Sequence, residues 1–163
     1  MASAPMTSSR PPTAVVDLLT SLLEAEMNSV FRFMGEGSPY LSRATVEVRR
    51  PLQEMVLAEH RRAGELADLI ESLGTVPTPA GAIRRDEQYL AFLSLQFLLP
   101  KLVIEKKLHI ERYENALVEL KRQQLPNIPT EAVTLVESHL AELRSELAAL
   151  ESVSQHVASK RKP

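Results

Sequence analysis

The sequence predicts an all-α fold: an antiparallel four-helix bundle with one long crossover between its second and third helices. Three observations carry this prediction. Of 21 acidic residues in the 163-residue chain, eighteen are Glu and three are Asp (Asp17, Asp68, Asp86). Glu, Leu and Ala favour helix, whereas sheets draw on Thr, Val, aromatics and Gly-rich turns. Aromatics are 4% and glycines number five, which argues against a β-sandwich or a nucleotide-binding α/β fold. Pro and Gly then divide the chain into four stretches, each with an apolar stripe at helical spacing.

The elements follow in order. Residues 1–12 read as a disordered Ser/Pro tail without the apolar centre of a secretory signal. Residues 13–34 carry Val16, Leu19, Leu23, Val30 and Phe33 as one stripe, ended by Gly35-Glu36-Gly37. Ser38-Pro39 then supplies a cap followed by Pro at the first helical position. This second stretch runs to Leu73-Gly74, with Leu52, Met55, Ala63, Leu66 and Ile70 on its face, and Pro51 is expected to kink or interrupt it. From Thr75 about a dozen residues rich in Pro and Gly form a connection longer than an antiparallel pair needs.

The third stretch starts near Asp86 and runs to about Gln123. Tyr89 to Leu99 is apolar almost all round, which predicts burial on several sides, and Pro100 is expected to bend it. Leu125-Pro-Asn-Ile-Pro-Thr is a turn. The fourth helix spans Thr130 to Ser159 with Val133, Val136, Leu140, Leu143, Leu147 and Leu150 on its stripe. Residues 160–163 are a basic tail suited to the negative end of a helix dipole. Helices of this length are about 40 Å long, a distance a dozen extended residues can cross. The middle link therefore makes the second and third helices parallel, within one domain at 13–159.

Composition narrows the chemistry. The chain has no Cys, which excludes disulfides, thiolate catalysis and iron–sulfur clusters. With four His (His60, His109, His139, His156), any metal site must lean on carboxylates. A net charge of −2 gives no electrostatic case for nucleic acid or an anionic membrane, and no apolar run is long enough to span a bilayer. A cytoplasmic location is the default expectation.

Inward positions of a packed bundle should be apolar, because an unpaired buried charge is costly. Here four glutamates interrupt the stripes. Glu26 falls in line with Leu19, Leu23, Val30 and Phe33, with Glu24 the other candidate for that place. Glu59 falls with Leu52, Met55, Ala63 and Leu66. Glu105 falls with Leu98, Leu102, His109 and Ala116, and Glu142 with Leu135, His139 and Glu146. Four carboxylates in one interior repel unless protonated or neutralised by cations. Two hard divalent ions would neutralise them, and Glu oxygens suit iron or manganese. The alternative is salt-bridging to Arg62, Lys106 or Arg144.

This order of residues resembles the ferritin-like superfamily, the bacterioferritin and rubrerythrin kind of bundle. The resemblance rests on Ala58-Glu59-His60-Arg61-Arg62-Ala63 leading to Leu73-Gly74-Thr75-Val76-Pro77, and on Glu105 followed by Ile110, Tyr113 and Ala116. The intervals between the four glutamates, 33, 46 and 37 residues, suit such bundles. It implies metal ligation by Glu26, Glu59, Glu105 and Glu142, iron or manganese as cofactor, and a homo-oligomer. Two departures stand against it: Arg62 and Ser145 occupy the positions where the family carries metal-binding His. Arg is always protonated and cannot ligate a metal; an inward Arg62 would stand in for the missing cation. His109 and His139 are the candidate extra ligands, whereas His60 is expected to face a neighbouring helix or solvent and His156 to lie at the surface. Two functions follow: a di-metal centre for iron oxidation, storage or peroxide handling, or a non-catalytic bundle with a binding or assembly role.

Overall fold

The computed structural model describes residues 13–34, 44–79, 93–122 and 129–160. The tail at 1–12, the Ser38-Pro39 cap, the start near Asp86, most of the 125–130 turn and the last three residues lie outside them. The described residues form helices α1 (Thr13–Met27), α2 (Val30–Met34), α3 (Val46–Ser72), α4 (Leu95–Arg122) and α5 (Thr130–Ser159).

The first stretch is not one helix. It breaks at Asn28-Ser29, where the Ser29 hydroxyl accepts a hydrogen bond from the Phe31 amide at 3.2 Å and caps α2. Short polar side chains compete with the helical ladder in this way, and Ser29 gains a second partner across the bundle, described below. Pro51 and Pro100 both lie inside continuous helices, so Pro51 does not interrupt its stretch. The α3 terminus follows its sequence signal. Gly74 takes φ 82°, and the Gly74 and Thr75 amides bond back to Glu71 and Ile70 in a Schellman arrangement.

Ion pairs record the chain directions. Across α4 and α5, Lys107 meets Glu151, Glu114 meets Arg144 and Lys121 meets Glu137, so the two helices run antiparallel. Arg62 reaches Glu26, and Ser29 reaches Glu59, in the antiparallel sense between the first helical stretch and α3. Glu65 meets His139 while Arg62 meets Glu146, which makes α3 and α5 antiparallel too. Since α5 opposes both, α3 and α4 are parallel, and the chain must cross the bundle's length between them.

The apolar core is in two blocks. One contains Leu19, Leu22, Leu66, Ile70, Leu120, Val136 and Leu143. The other contains Phe31, Leu52, Met55, Leu98, Leu102 and Leu150. Between them lies a layer of charge. Phe97 corrects the expectation of all-round burial before Pro100: Leu98 and Leu99 are buried, but Phe97 is 57% exposed. Among the described residues no helix is long and apolar enough to cross a membrane.

Candidate functional site

The layer between the core blocks is built from the inward seam of each helix. On α4 that seam is Leu99, Leu102, Lys106, His109, Tyr113 and Ala116, at alternating intervals of three and four. On α5 it is Val136, His139, Leu143, Glu146, Leu150 and Val153. From α1 comes Glu26, and from α3 come Glu59 and Arg62.

Arg62 points into the bundle. Its side chain is fully withdrawn from solvent, and it donates from Nε to Glu26 Oε1 at 2.8 Å and from an Nη to Glu146 Oε1 at 2.7 Å. Lys106 is equally buried. Its ammonium donates to Glu146 Oε2 at 2.7 Å, stands 3.7 Å from Glu59 Oε1, and lies 4.1 Å from the centre of the Phe31 ring. Glu146 thus bridges the two cations while remaining slightly open to solvent. Tyr113 donates to Glu26 Oε1 at 2.7 Å, and Ser29 donates to Glu59 Oε1 at 2.7 Å. His139 joins through its Nε2, 2.6 Å from Glu65 Oε2, and its Nδ1, 3.3 Å from the Tyr113 hydroxyl.

Four of the six sequence-predicted site residues are buried here: Glu26, Glu59, His109 and His139. The other two are displaced from the centre. The expectation that Glu105 points inward is corrected: Lys106 holds that place. Glu105 is half-buried and lines a cavity of about 250 Å³ with Glu24, Ser29, His109 and Arg112. A one-residue error in the seam rotates a helix by about 100°. The inward direction of Glu142 is corrected likewise, since it sits at the edge beside Arg61 while Glu146, one turn on, faces the layer. Glu24 is half-buried, so Glu26 is the inward glutamate of α1. Lys106, Glu146, Ser29 and Glu65 were not predicted as site residues. The first two were detectable as the charged members of unbroken heptad seams.

The electrostatics of the two buried carboxylates diverge. Burial pushes Glu26 up, but His109 and Arg62 more than offset this and hold it at about 2. Burial pushes Glu59 up to about 7, with Lys106 opposing and Glu26 reinforcing the shift. Burial also lowers His139 despite its Glu65 contact, and holds Tyr113 well above the usual phenol value, so the hydroxyl keeps its proton for Glu26.

Among the described residues, three buried side-chain atoms have no hydrogen bond: Glu26 Oε2, Glu59 Oε2 and His109 Nε2. His109 Nε2 is 3.2 Å from Glu26 Oε1, close enough for ion pairing but misaligned for a hydrogen bond. One donor atom from each of Glu26, Glu59 and His109 lies within 4.8 Å of the others. Two carboxylates and an imidazole are a donor set for one iron or manganese ion. A second ion does not fit these residues, because Arg62 and Lys106 already face the remaining carboxylates.

No family model matches this chain, and no curated protein matches it by sequence. The chain has the ferritin-like four-helix-bundle fold. Among solved structures, the bacterioferritin of Desulfovibrio desulfuricans, determined with its diiron site in different catalytic states, superposes with a TM-score of 0.72. The match covers 90% of this chain and 81% of that one, at 18% identity, and the likeness is therefore one of fold.

Proposed function

We propose that this chain is a ferritin-like bundle whose interior is neutralised by its own Arg62 and Lys106 instead of a pair of metal ions, with a binding or assembly role in place of metal-dependent oxidation. The observation that carries this reading is the direction of the Arg62 guanidinium, which is buried between Glu26 and Glu146. Three carboxylates (Glu26, Glu59, Glu146) face the guanidinium of Arg62 and the amine of Lys106, and the remaining charge is removed by a proton. Glu59, raised to about 7, is the group that takes it. Iron oxidation, storage or peroxide handling at a two-metal centre is not supported by this interior, since the second ion's place is held by side chains.

A second reading is favoured by two observations on the same three residues: each has a buried atom without a hydrogen bond, and one donor atom from each lies within 4.8 Å of the others. Here Glu26, Glu59 and His109 would hold a single iron or manganese ion, with Oε1 of each carboxylate oriented by Tyr113 or Ser29. Such an ion would supply Lewis acidity or a redox couple. Metal analysis of protein purified from iron- and manganese-supplied cells separates the readings. Near zero ions per chain, unchanged by His109→Ala, supports the first. Near one, lost in His109→Ala, supports the second. Two ions per chain would overturn both.

A further inference from the structure

We propose that the outer face of α4 is a self-association surface that takes the same face of a second copy of this chain, in antiparallel register. The helix carries two seams on opposite sides. One faces the charged layer. The other holds four large apolar side chains in the open: Phe97 (57% exposed), Ile104 (58%), Leu108 (45%) and Val118 (62%). Exposed apolar residues scattered singly are ordinary, but these are ordered. Filling the gaps with the exposed Lys101, Glu111 and Asn115 gives steps of four, three, four, three, four and three from 97 to 118. That is a heptad-spaced seam of four apolar and three polar positions, about 32 Å long at 1.5 Å per residue.

Charge along the seam selects the occupant. In an antiparallel pair centred beside residue 106, the layers match Ile104 with Leu108 of the second copy, Lys101 with Glu111, and Phe97 with Asn115. Every contact recurs by symmetry, as an isologous interface requires. The apolar pairs lie at the centre and each is flanked by an opposite-charge pair. In a parallel pair the same residues would set Lys101 against Lys101 and Glu111 against Glu111, which repel. A polar residue in an otherwise apolar seam specifies register and orientation in this way. Neither Lys101 nor Glu111 has an ion-pair partner among the described residues, so both are available to a second copy. This surface is remote from the buried charged layer, because it uses the face of α4 that does not reach the interior.

Sedimentation equilibrium of the full chain, with helicity followed by circular dichroism, tests the proposal. The chain is expected to dimerise, and the double variant Ile104→Glu/Leu108→Glu to be a monomer of unchanged helicity. Lys101→Glu and Glu111→Lys should each weaken the dimer by about tenfold, and combining them should restore it. Because the chain lacks Cys, cross-linking reads the register directly. Equal amounts of Ile104→Cys and Leu108→Cys chains should give the mixed disulfide dimer. A monomeric parent chain, an assembly indifferent to the two glutamates, failure of the charge swap to restore, or cross-linking of each variant to itself would overturn the proposal.

Discussion

Arg62 and Glu26 form an ion pair with both side chains at zero exposure, Nε to Oε1 at 2.8 Å, midway along a bundle whose apolar core they help divide. Desolvating two charges is expensive, and their mutual attraction repays it only with further hydrogen bonds. Here those exist: Tyr113 on Glu26, and Glu146 on the guanidinium. The pair is therefore conditional on its neighbours. Arg62→Met leaves the buried Glu26 without its guanidinium, while Lys106 still holds Glu146, and should lower unfolding stability by about 3–5 kcal/mol. Adding Glu26→Gln should recover part of that loss in a double-mutant cycle followed by urea denaturation. Equal losses in the single and double variants would mean that the charge pair is not what Arg62 contributes.

Exposed pairs of the same chemistry should behave differently. Arg144 and Glu114 sit 2.9 Å apart across α4 and α5, but their side chains are 59% and 46% exposed. Solvent screening leaves such a pair about 0.2–1 kcal/mol. Glu114→Gln should therefore shift the urea midpoint only slightly, and less still in high salt. A loss as large as that of Arg62→Met would contradict the division between a buried organising layer and a surface ladder.

Glu59 predicts the pH dependence of metal-free protein. Its folded pKa, about 7, lies above the ordinary 4.5, so the native state binds the proton more tightly than the unfolded chain does. Its stabilising contribution is thus full below pH 4.5 and is lost as pH rises through 7. The shift corresponds to roughly 3 kcal/mol at most. Glu26 has the opposite sign: held at about 2, it stabilises above pH 4.5 and loses that contribution as pH falls through 2. Glu59 should therefore contribute a decline from pH 5 to 8 in the parent chain, against the opposite slope of His139, whose lowered pKa favours the folded state as pH rises. Glu59→Gln should remove that declining component. A slope unchanged by the substitution would show that Glu59 does not carry the titration.

Much of this is legible in the amino-acid sequence. The helices, the crossover and the burial of Glu26 and Glu59 follow from stripes of apolar residues, because those helices have few competing seams. Helix α4 was harder. It has apolar residues on two faces, so Leu98, Leu102, Glu105 and His109 align almost as well as Leu99, Leu102, Lys106 and His109, and periodicity alone does not choose. The break at Asn28-Ser29 was hidden for another reason: Ser29 both caps α2 and bonds to Glu59, and the second contact is tertiary, with no local signal. The convergence of Arg62 and Lys106 on Glu146 is likewise a fact of three helices at once.

The charged layer also predicts how a two-metal centre could be recovered. Arg62→His restores the Glu-x-x-His spacing with Glu59, yet Lys106 would remain 2.7 Å from Glu146 and 3.7 Å from Glu59, opposing any cation there. The single substitution should therefore leave iron content below two ions per chain. Replacing both cations, Arg62→His with Lys106→Glu, removes two positive charges and adds a carboxylate and an imidazole, donors suited to iron. Iron titrated into this double variant should bind with a stoichiometry approaching two and raise its thermal midpoint by mass action. The parent chain should show neither change. If Arg62→His alone binds two ions, Lys106 is not a resident cation of the layer. If the folded double variant binds none, the side-chain cations are not what exclude a metal pair.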